Sequence, residues 1–482
     1  MIKKEKIISN VIWKLLERWT AKLATFVVGI VIARAITPKS YGVIAIVEAI
    51  ILLLQVLVDS GLGTALIQKK EIDDYDYSSV FWFNIIISLV LYSLVFLLSP
   101  SIASFYNNKD LIPIIRVLGF AIVISGISNI QHAYISRNLL FEKLMISTLS
   151  GAICGGIVGI FLAYNKFEVW ALVAQHLITI TAETLVLWWV LRWRPKKIFS
   201  FAKFKKLFSY GWKILISNII DTAYNELRSL IIGKYYSSED LAFYSKGSQF
   251  PKTIVENINV SMNSVLLPVL AEKQEDLKYI KEGGKTAIRL SAFFICPLMI
   301  GLSVIADKLI MVLLTEKWML ATRFVRIICF NQLFQPLSTT NLNMIKAMGK
   351  SDIYLKIEII KKTIATLIII FSSMLGVEEI AIGTVIYAII ALFINSYPNK
   401  KMLNYGFFEQ LKEIASFIWM SVVMGVIVYI VGLLRLPMLM SLIVQVLIGV
   451  VVYFELARKT KTKEFYYYVD VIKLIIQKKQ KC

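Results

Sequence analysis

This sequence is poor in the residues from which most enzyme sites are built. It holds 4 cysteines and 2 histidines in 482 residues. Cys154, Cys296 and Cys329 fall inside apolar stretches and Cys482 is the last residue, so neither a disulfide framework nor a metal-ligand spacing can be drawn from them. His132 and His176 lie far apart, each within or near an apolar stretch, which speaks against histidine-based catalysis or metal binding and leaves helix packing as their expected role. Acids are scarce too, 32 against 53 lysines and arginines, for a formal net charge of +21. A cleavable signal peptide is not evident. The first apolar stretch is long, carries charges and lacks a small-residue cleavage site, so it is expected to stay as a helix.

What the chain has in abundance is hydrophobic length. With 57% hydrophobic residues it reads as an all-α polytopic membrane protein, not a soluble globule. About fourteen apolar stretches run from one centred near Leu23 to one near Leu447, each long enough to cross some 30 Å of hydrocarbon as a helix. Those near Val260 and Leu333 are the least hydrophobic, so twelve or thirteen remain open. The positive charge is a topology signal rather than a nucleic-acid footprint. With an even number of spans, Lys3, Lys4 and Lys6 place both termini in the cytoplasm, and the loops then assigned inside are the basic ones, including Arg192 to Lys206 and Lys273 to Arg289. The expected organisation is an N-terminal lobe of six helices at 1–195, a basic cytoplasmic linker at 196–210, a C-terminal lobe of six helices at 211–405, two further helices at 406–457 and a basic amphipathic tail at 458–482. That tail fits an inner-leaflet anchor or an ordinary solvated segment.

An internal repeat supports the two lobes. At an offset of 200 residues, Ile32 to Ser40 aligns with Ile232 to Asp240, and Gly61 to Ile67 aligns with Ser261 to Leu267. Parallel repeats of this kind, related by an axis along the membrane normal, are typical of transporters with a substrate site at the lobe interface.

Charge inside the spans points to that site. Arg18 and Lys22 stand one helical turn apart in the first span, where a cation at the bilayer centre costs about 3 kcal/mol and therefore usually faces a watery cavity; snorkelling of Arg18 to the headgroups is the bland alternative. Other polar residues form stripes at three- and four-residue spacing: Asn218, Asp221, Asn225 and Arg228 in span seven, and Glu48, Gln55 and Asp59 in span two. Glu256, Asn259 and Asn263 mark span eight. A membrane offers no solvated outer face, so such stripes either hydrogen-bond between helices or line water. The expected cavity sets Arg18, Lys22, Arg228 and Arg34, as ligands for an anion with phosphate-like oxygens, against Glu48, Asp59, Asn218, Asp221, Asn225 and Glu256. Three roles stand open for the acids: neutralising spare cations, releasing the ligand, or carrying a coupling proton. Arg34 and Lys234, at helix ends, fit an interfacial or dipole role equally well.

The segments Ala33 to Gly42, Asp59 to Gly63, Phe81 to Asn84 and Val169 to Val173 resemble the polysaccharide flippases of the multidrug/oligosaccharidyl-lipid/polysaccharide exporter superfamily, in the branch that includes teichuronic and colanic acid exporters. The resemblance covers about Ile8 to Glu272, with a departure at Leu241-Ala242, where the second-half motif often has a glycine. It implies a non-enzymatic carrier in the bacterial cytoplasmic (inner) membrane. Such a carrier flips an undecaprenyl-diphosphate-linked oligosaccharide to the outer leaflet by alternating access, with no cofactor, and coupling to a proton gradient, a sodium gradient or the membrane potential is open. Implied partners are the lipid-linked oligosaccharide, membrane lipids, a polysaccharide polymerase and a chain-length regulator. The alternatives on the same fold are a drug/cation antiporter, which favours an acidic and aromatic cavity, and a flippase for a lipid II type peptidoglycan precursor.

Overall fold

The structure is a computed structural model that describes residue 20 and residues 22–479. Arg18 lies outside the described residues. The chain divides into two compact units, Met1–Ala242 and Phe243–Cys482. In the first, α1 (residues 22–35) leads into α2 (Pro38–Asp59), α3 (Leu62–Gln68), α4 (Asp74–Phe105), α5 (Leu111–Leu118), α6 (Phe120–Asn138), α7 (Phe141–Tyr164), α8 (Val169–Val190), α9 (Phe201–Tyr235) and the first turn of α10 (Ser238–Ala271). The second continues with α11 (Leu277–Leu314), α12 (Ala321–Gln332), α13 (Gln335–Ala347), α14 (Ser351–Ser372), α15 (Val377–Leu403), α16 (Phe407–Gly432), α17 (Met438–Lys459) and α18 (Lys463–Lys479).

Ten described helices are long and apolar enough to cross a membrane. The remaining expected spans fall on α1, α9, the α12–α13 pair and α14. These are helical, but α9 and α14 carry more charge, and α12 and α13 are separated by a turn at Leu333 and Phe334 just before Pro336. Proline lacks the N–H that would continue the helix.

The repeat is visible in local structure. Helix ends at residue 35 and resumes at 38, and ends at 235 and resumes at 238. At the first corner the carboxylate is distant in sequence: Glu168, just before α8, accepts from Thr37 Oγ1 at 3.0 Å and from Ser40 Oγ at 2.8 Å. At the second it is local, Asp240 accepting from Ser237 Oγ at 2.6 Å, with Ser237 Oγ accepting from the Asp240 N–H at 3.0 Å. At the first corner Glu168 also accepts from the Thr37 N–H at 3.2 Å, and at the second the Ser237 hydroxyl satisfies an N–H that the helix start leaves open.

The segment expected as a linker at 196–210 is non-helical only to residue 200, beyond which it forms the first turns of α9. Its start is strapped to α4. Trp82 Nε1 donates to the Lys196 carbonyl at 2.9 Å, Ser200 N donates to Ser79 Oγ at 2.9 Å, and Lys196 Nζ lies 2.5 Å from Asp74. Asp73 caps α4 and pairs with Lys203, whose ammonium holds the Asp73 carboxyl at about 2, below its ordinary value. Arg137 at the end of α6 donates to the carbonyls of Leu66, Ile67, Lys69 and Lys70, closing the C-terminus of α3.

Helix α7 packs closely on α8 through a glycine ridge. A Cβ on Gly155 would lie 2.0 Å from Thr179 Oγ1 and 2.7 Å from the Gln175 carbonyl. Gly155→Val is therefore expected to force the helices apart and lower the membrane-inserted protein several-fold, whereas Cys154→Val, at an exposed neighbour, should leave it unchanged. Equal levels of the two variants in membrane fractions would contradict this packing.

Candidate functional site

Two of the expected stripes meet. Gln55 and Asp59 of α2, with Leu52 and Val56, and Asn218, Asp221, Thr222, Asn225 and Glu226 of α9 line one cavity of about 480 Å³ in the first unit. The α2–α3 corner borders it through Asp59. Gly61 has φ +65°, and a Cβ there would lie 2.3 Å from the Gly211 carbonyl, so only glycine lets the corner rest against α9. At that corner the Asp59 carboxylate accepts from the backbone N–H of Gly63, so it both borders the cavity and caps α3. Gln55 Nε2 donates to Ser125 Oγ of α6 at 2.9 Å, which fixes its amide.

Glu48 extends the α2 face by two turns, at i−4 from Leu52 and i−7 from Gln55. It stands 3.5 Å from His176 Nδ1 of α8. Seven residues along the same face of α8, Glu183 stands 3.6 Å from His132 Nε2 of α6. Both histidines of the chain are thus paired with carboxylates across helices, an arrangement consistent with a helix-packing role. The chain pairs they join are distant in sequence, and only the seven-residue spacing of His176 and Glu183 could have hinted at them.

Among the described residues, the expected cations do not line this cavity. Arg228 does not line this cavity: its Nη2 donates to Tyr224 Oη at 3.0 Å, its guanidinium stacks 5.3 Å from that ring, and its Nε is buried without a hydrogen-bond partner. Lys22 is half-buried on α1 and Arg34 is exposed at the end of that helix. Lys234 caps α4 by donating to the Phe105 carbonyl. Glu256 is exposed on α10 and belongs to the second unit. Among the described residues, the polar lining of the cavity is therefore three carboxylates, three amides and a hydroxyl, with no cation. Carboxylates and amides both accept hydrogen bonds, and amides also donate, so the surface suits a hydroxyl-rich ligand.

In the second unit the sequence did not announce a buried amide network. Asn341 Nδ2 donates to Gln410 Oε1 at 2.7 Å, Gln410 Nε2 returns a bond to Asn341 Oδ1 at 2.8 Å, and Asn399 Nδ2 donates to the same oxygen at 2.6 Å. All three residues are fully buried, which makes the network an interhelical fastener. Among the described residues no group of three or more metal-binding side chains is present.

A family model described as polysaccharide biosynthesis protein matches residues 31–323, more than half of the chain. The teichuronic acid biosynthesis protein TuaB of Bacillus subtilis (strain 168) is 26% identical over 302 residues, which make up 62% of this chain and 62% of that protein. The chain thus spans about three fifths of that relative's length. The lipopolysaccharide biosynthesis protein WzxC of Escherichia coli (strain K12) is 23% identical, covering 77% of this chain and 78% of the relative. The succinoglycan biosynthesis transport protein ExoT of Rhizobium meliloti (strain 1021) is 20% identical, covering 71% and 70%. In fold, the chain is similar to the lipid II flippase MurJ in an inward closed conformation, with a TM-score of 0.77 at 15% identity over 96% of this chain and 100% of that one. It is also similar to an inward-facing MATE family multidrug resistance transporter of the MOP superfamily, with a TM-score of 0.60 at 15% identity over 83% and 94%. The all-α polytopic fold expected from the sequence is the fold observed, and the protein is an integral membrane protein.

Proposed function

The chain belongs to the polysaccharide biosynthesis protein family, and from that premise we propose that it carries a lipid-linked oligosaccharide across the bilayer. The observation that carries the reading is the polar cavity between α2 and α9, set against a membrane-spanning helix in a fold shared with transporters. A sugar chain brings many hydroxyls, and each one taken out of water unpartnered costs several kcal/mol in hydrocarbon. Asn218, Asn225 and Gln55 can donate to and accept from hydroxyls, and Asp59, Asp221 and Glu226 can accept from them.

The finer reading assigns the substrate as an undecaprenyl-diphosphate-linked unit flipped from the cytoplasmic to the outer leaflet by alternating access. Both termini then lie in the cytoplasm of a bacterial inner membrane, and a polysaccharide polymerase and a chain-length regulator act downstream. The diphosphate would pair with Lys22 and Arg228, together with Arg18 and Arg34. The buried, unpartnered Nε of Arg228 supports this, because a guanidinium holds its remaining donors in a fixed fork suited to phosphate. No covalent bond changes in this process. Moving two uncompensated negative charges toward a positive exterior releases about 5 kcal/mol at 100 mV, so the membrane potential can drive it, while a coupled proton or sodium ion would add to it.

One observation favours a second reading. The cavity is acidic, as a carrier of organic cations on this fold would require, though none of its lining residues is aromatic among the described residues. Charge reversal separates the two. Arg228→Glu is expected to lower surface glycan by more than tenfold in cells that depend on this protein, since a charged hydrogen bond is worth about 1.5–3 kcal/mol and here becomes a repulsion. Normal glycan together with loss of efflux of a cationic dye in Asp221→Asn would establish the cation carrier instead.

A further inference from the structure

Three cavities in the second unit share lining residues. The first, of about 580 Å³, is lined by Lys285 and Arg289 of α11 and by Lys461, Lys463 and Glu464 at the α17–α18 turn. The second, of about 490 Å³, is apolar, with Met262, Val265 and Val269 of α10 facing Leu290 and Phe294 of α11. These two share Glu282, Thr286 and Leu290. The third, of about 320 Å³, shares Phe294 with the second and continues along Pro297 and Leu298 past Val446 and Val450 of α17. A basic mouth thus neighbours an apolar channel along α11.

The charges at the mouth are unevenly committed. Arg289 is held by Glu464 at 2.5 and 3.0 Å and by Glu413 at 2.8 Å, and Lys285 lies 3.0 Å from Glu413. Lys461 and Lys463 are exposed, and their ammonium groups make no hydrogen bond or ion pair among the described residues. The carboxylates in the lining are Glu464, already neutralised, and Glu282 at the seam with the apolar channel. The mouth offers ammonium groups and hydroxyls but no amide, unlike the cavity in the first unit, so it matches a compact phosphate head rather than a glycan.

We propose that this string of cavities binds an anionic phospholipid from the leaflet on which α18 lies, its phosphate between Lys461, Lys463 and Lys285 and one acyl chain along the second and third cavities. Ammonium groups at the membrane surface attract anionic headgroups, and the chain exchanges contact with loose lipid for a fitted wall. Tyr468 of α18 forms part of that wall, its ring stacked on Phe293 at 5.8 Å and edge-on to Phe294 at 4.7 Å. The bound lipid thus bridges α18 to α10 and α11, so its loss loosens the docked C-terminal helix.

The test counts lipid bound to the purified full-length protein by native mass spectrometry, in micelles offering phosphatidylglycerol and phosphatidylcholine. It reads binding and not transport, so its outcome is separable from that of the carrier reading. Phosphatidylglycerol is expected to bind at least tenfold more tightly than phosphatidylcholine, and the double variant Lys461→Gln, Lys463→Gln to lose about thirtyfold of that affinity. Val265→Trp, at a position 62% exposed in the second cavity, should lower binding without touching a charge. Equal binding of the two lipids, an unchanged preference in the double variant, or full binding to Val265→Trp overturns the proposal. So does displacement of phosphatidylglycerol by an equal concentration of undecaprenyl phosphate, which would give the cavities to a prenyl carrier.

Discussion

Arg289→Ala is expected to remove about 3–5 kcal/mol of stability and to release α18 from the second unit. The guanidinium serves three carboxylate oxygens on two helices: Glu464 Oε1 and Oε2 through Nε and Nη2, and Glu413 Oε2 through Nη1. Glu464 is buried and has no other ion-pair partner among the described residues, so truncating the arginine strands a charge out of water, the most costly way to break a buried pair. Glu413 fares better, because Lys285 remains 3.0 Å away. Arg289→Lys should recover only part of the loss, since one ammonium cannot reproduce a fork that reaches three oxygens. The double variant Arg289→Ala, Glu464→Ala should be more stable than Arg289→Ala alone, a coupling that a double-mutant cycle isolates. The measurement is the unfolding midpoint in detergent, expected to fall on the order of 10 °C for the single variant, together with proteolysis of α18. A single variant as stable as the parent would mean that the rings of Tyr468, Phe293 and Phe294 hold α18 without the ion pairs.

Residues that share one helix were legible in the sequence; residues that meet across helices were not. Gln55 and Asp59, and Asn218, Asp221 and Asn225, recur at three- and four-residue steps, and the cavity is built from those two faces. Periodicity carries no information about which cation lies opposite, and the structure turns Arg228 onto its own helix neighbour Tyr224 instead of into the lining. Hydropathy behaves in the same way. It undercounts α14, whose Lys361 is 5% exposed and lies 2.6 Å from Glu358, because a window average charges the full cost of an ion that local pairing has already offset. The family-like segments form corners and straps of the fold. Thr37 and Ser40 are gripped by Glu168, beside Val169, and Trp82 holds the strap before α9. Such contacts join positions more than a hundred residues apart, beyond the reach of any local pattern.

Asp59→Asn is expected to reach the membrane in normal amounts and yet export at least tenfold less glycan. Asp59 serves two ends at once. Its carboxylate accepts the Gly63 N–H that opens α3, and it borders the α2–α9 cavity with Asp221 and Glu226. The asparagine side chain keeps an oxygen for the cap and is nearly the same size, so the corner at Ser60 and Gly61 should hold. What it removes is the negative charge, and a hydrogen bond from a ligand hydroxyl to a charged acceptor is worth about 1.5–3 kcal/mol, or roughly tenfold to a hundredfold. Asp59→Leu removes cap and charge together and leaves an open N–H, so it should lower protein level as well as export. The two effects separate when surface glycan is normalised to membrane-inserted protein. The asparagine variant should fall on activity per molecule, and the leucine variant on both measures. If Asp59→Asn exports normally while Asp59→Leu fails in proportion to its lower amount, Asp59 is a helix cap that happens to border the cavity, and Asp221 and Glu226 become the acids to test for contact with the cargo.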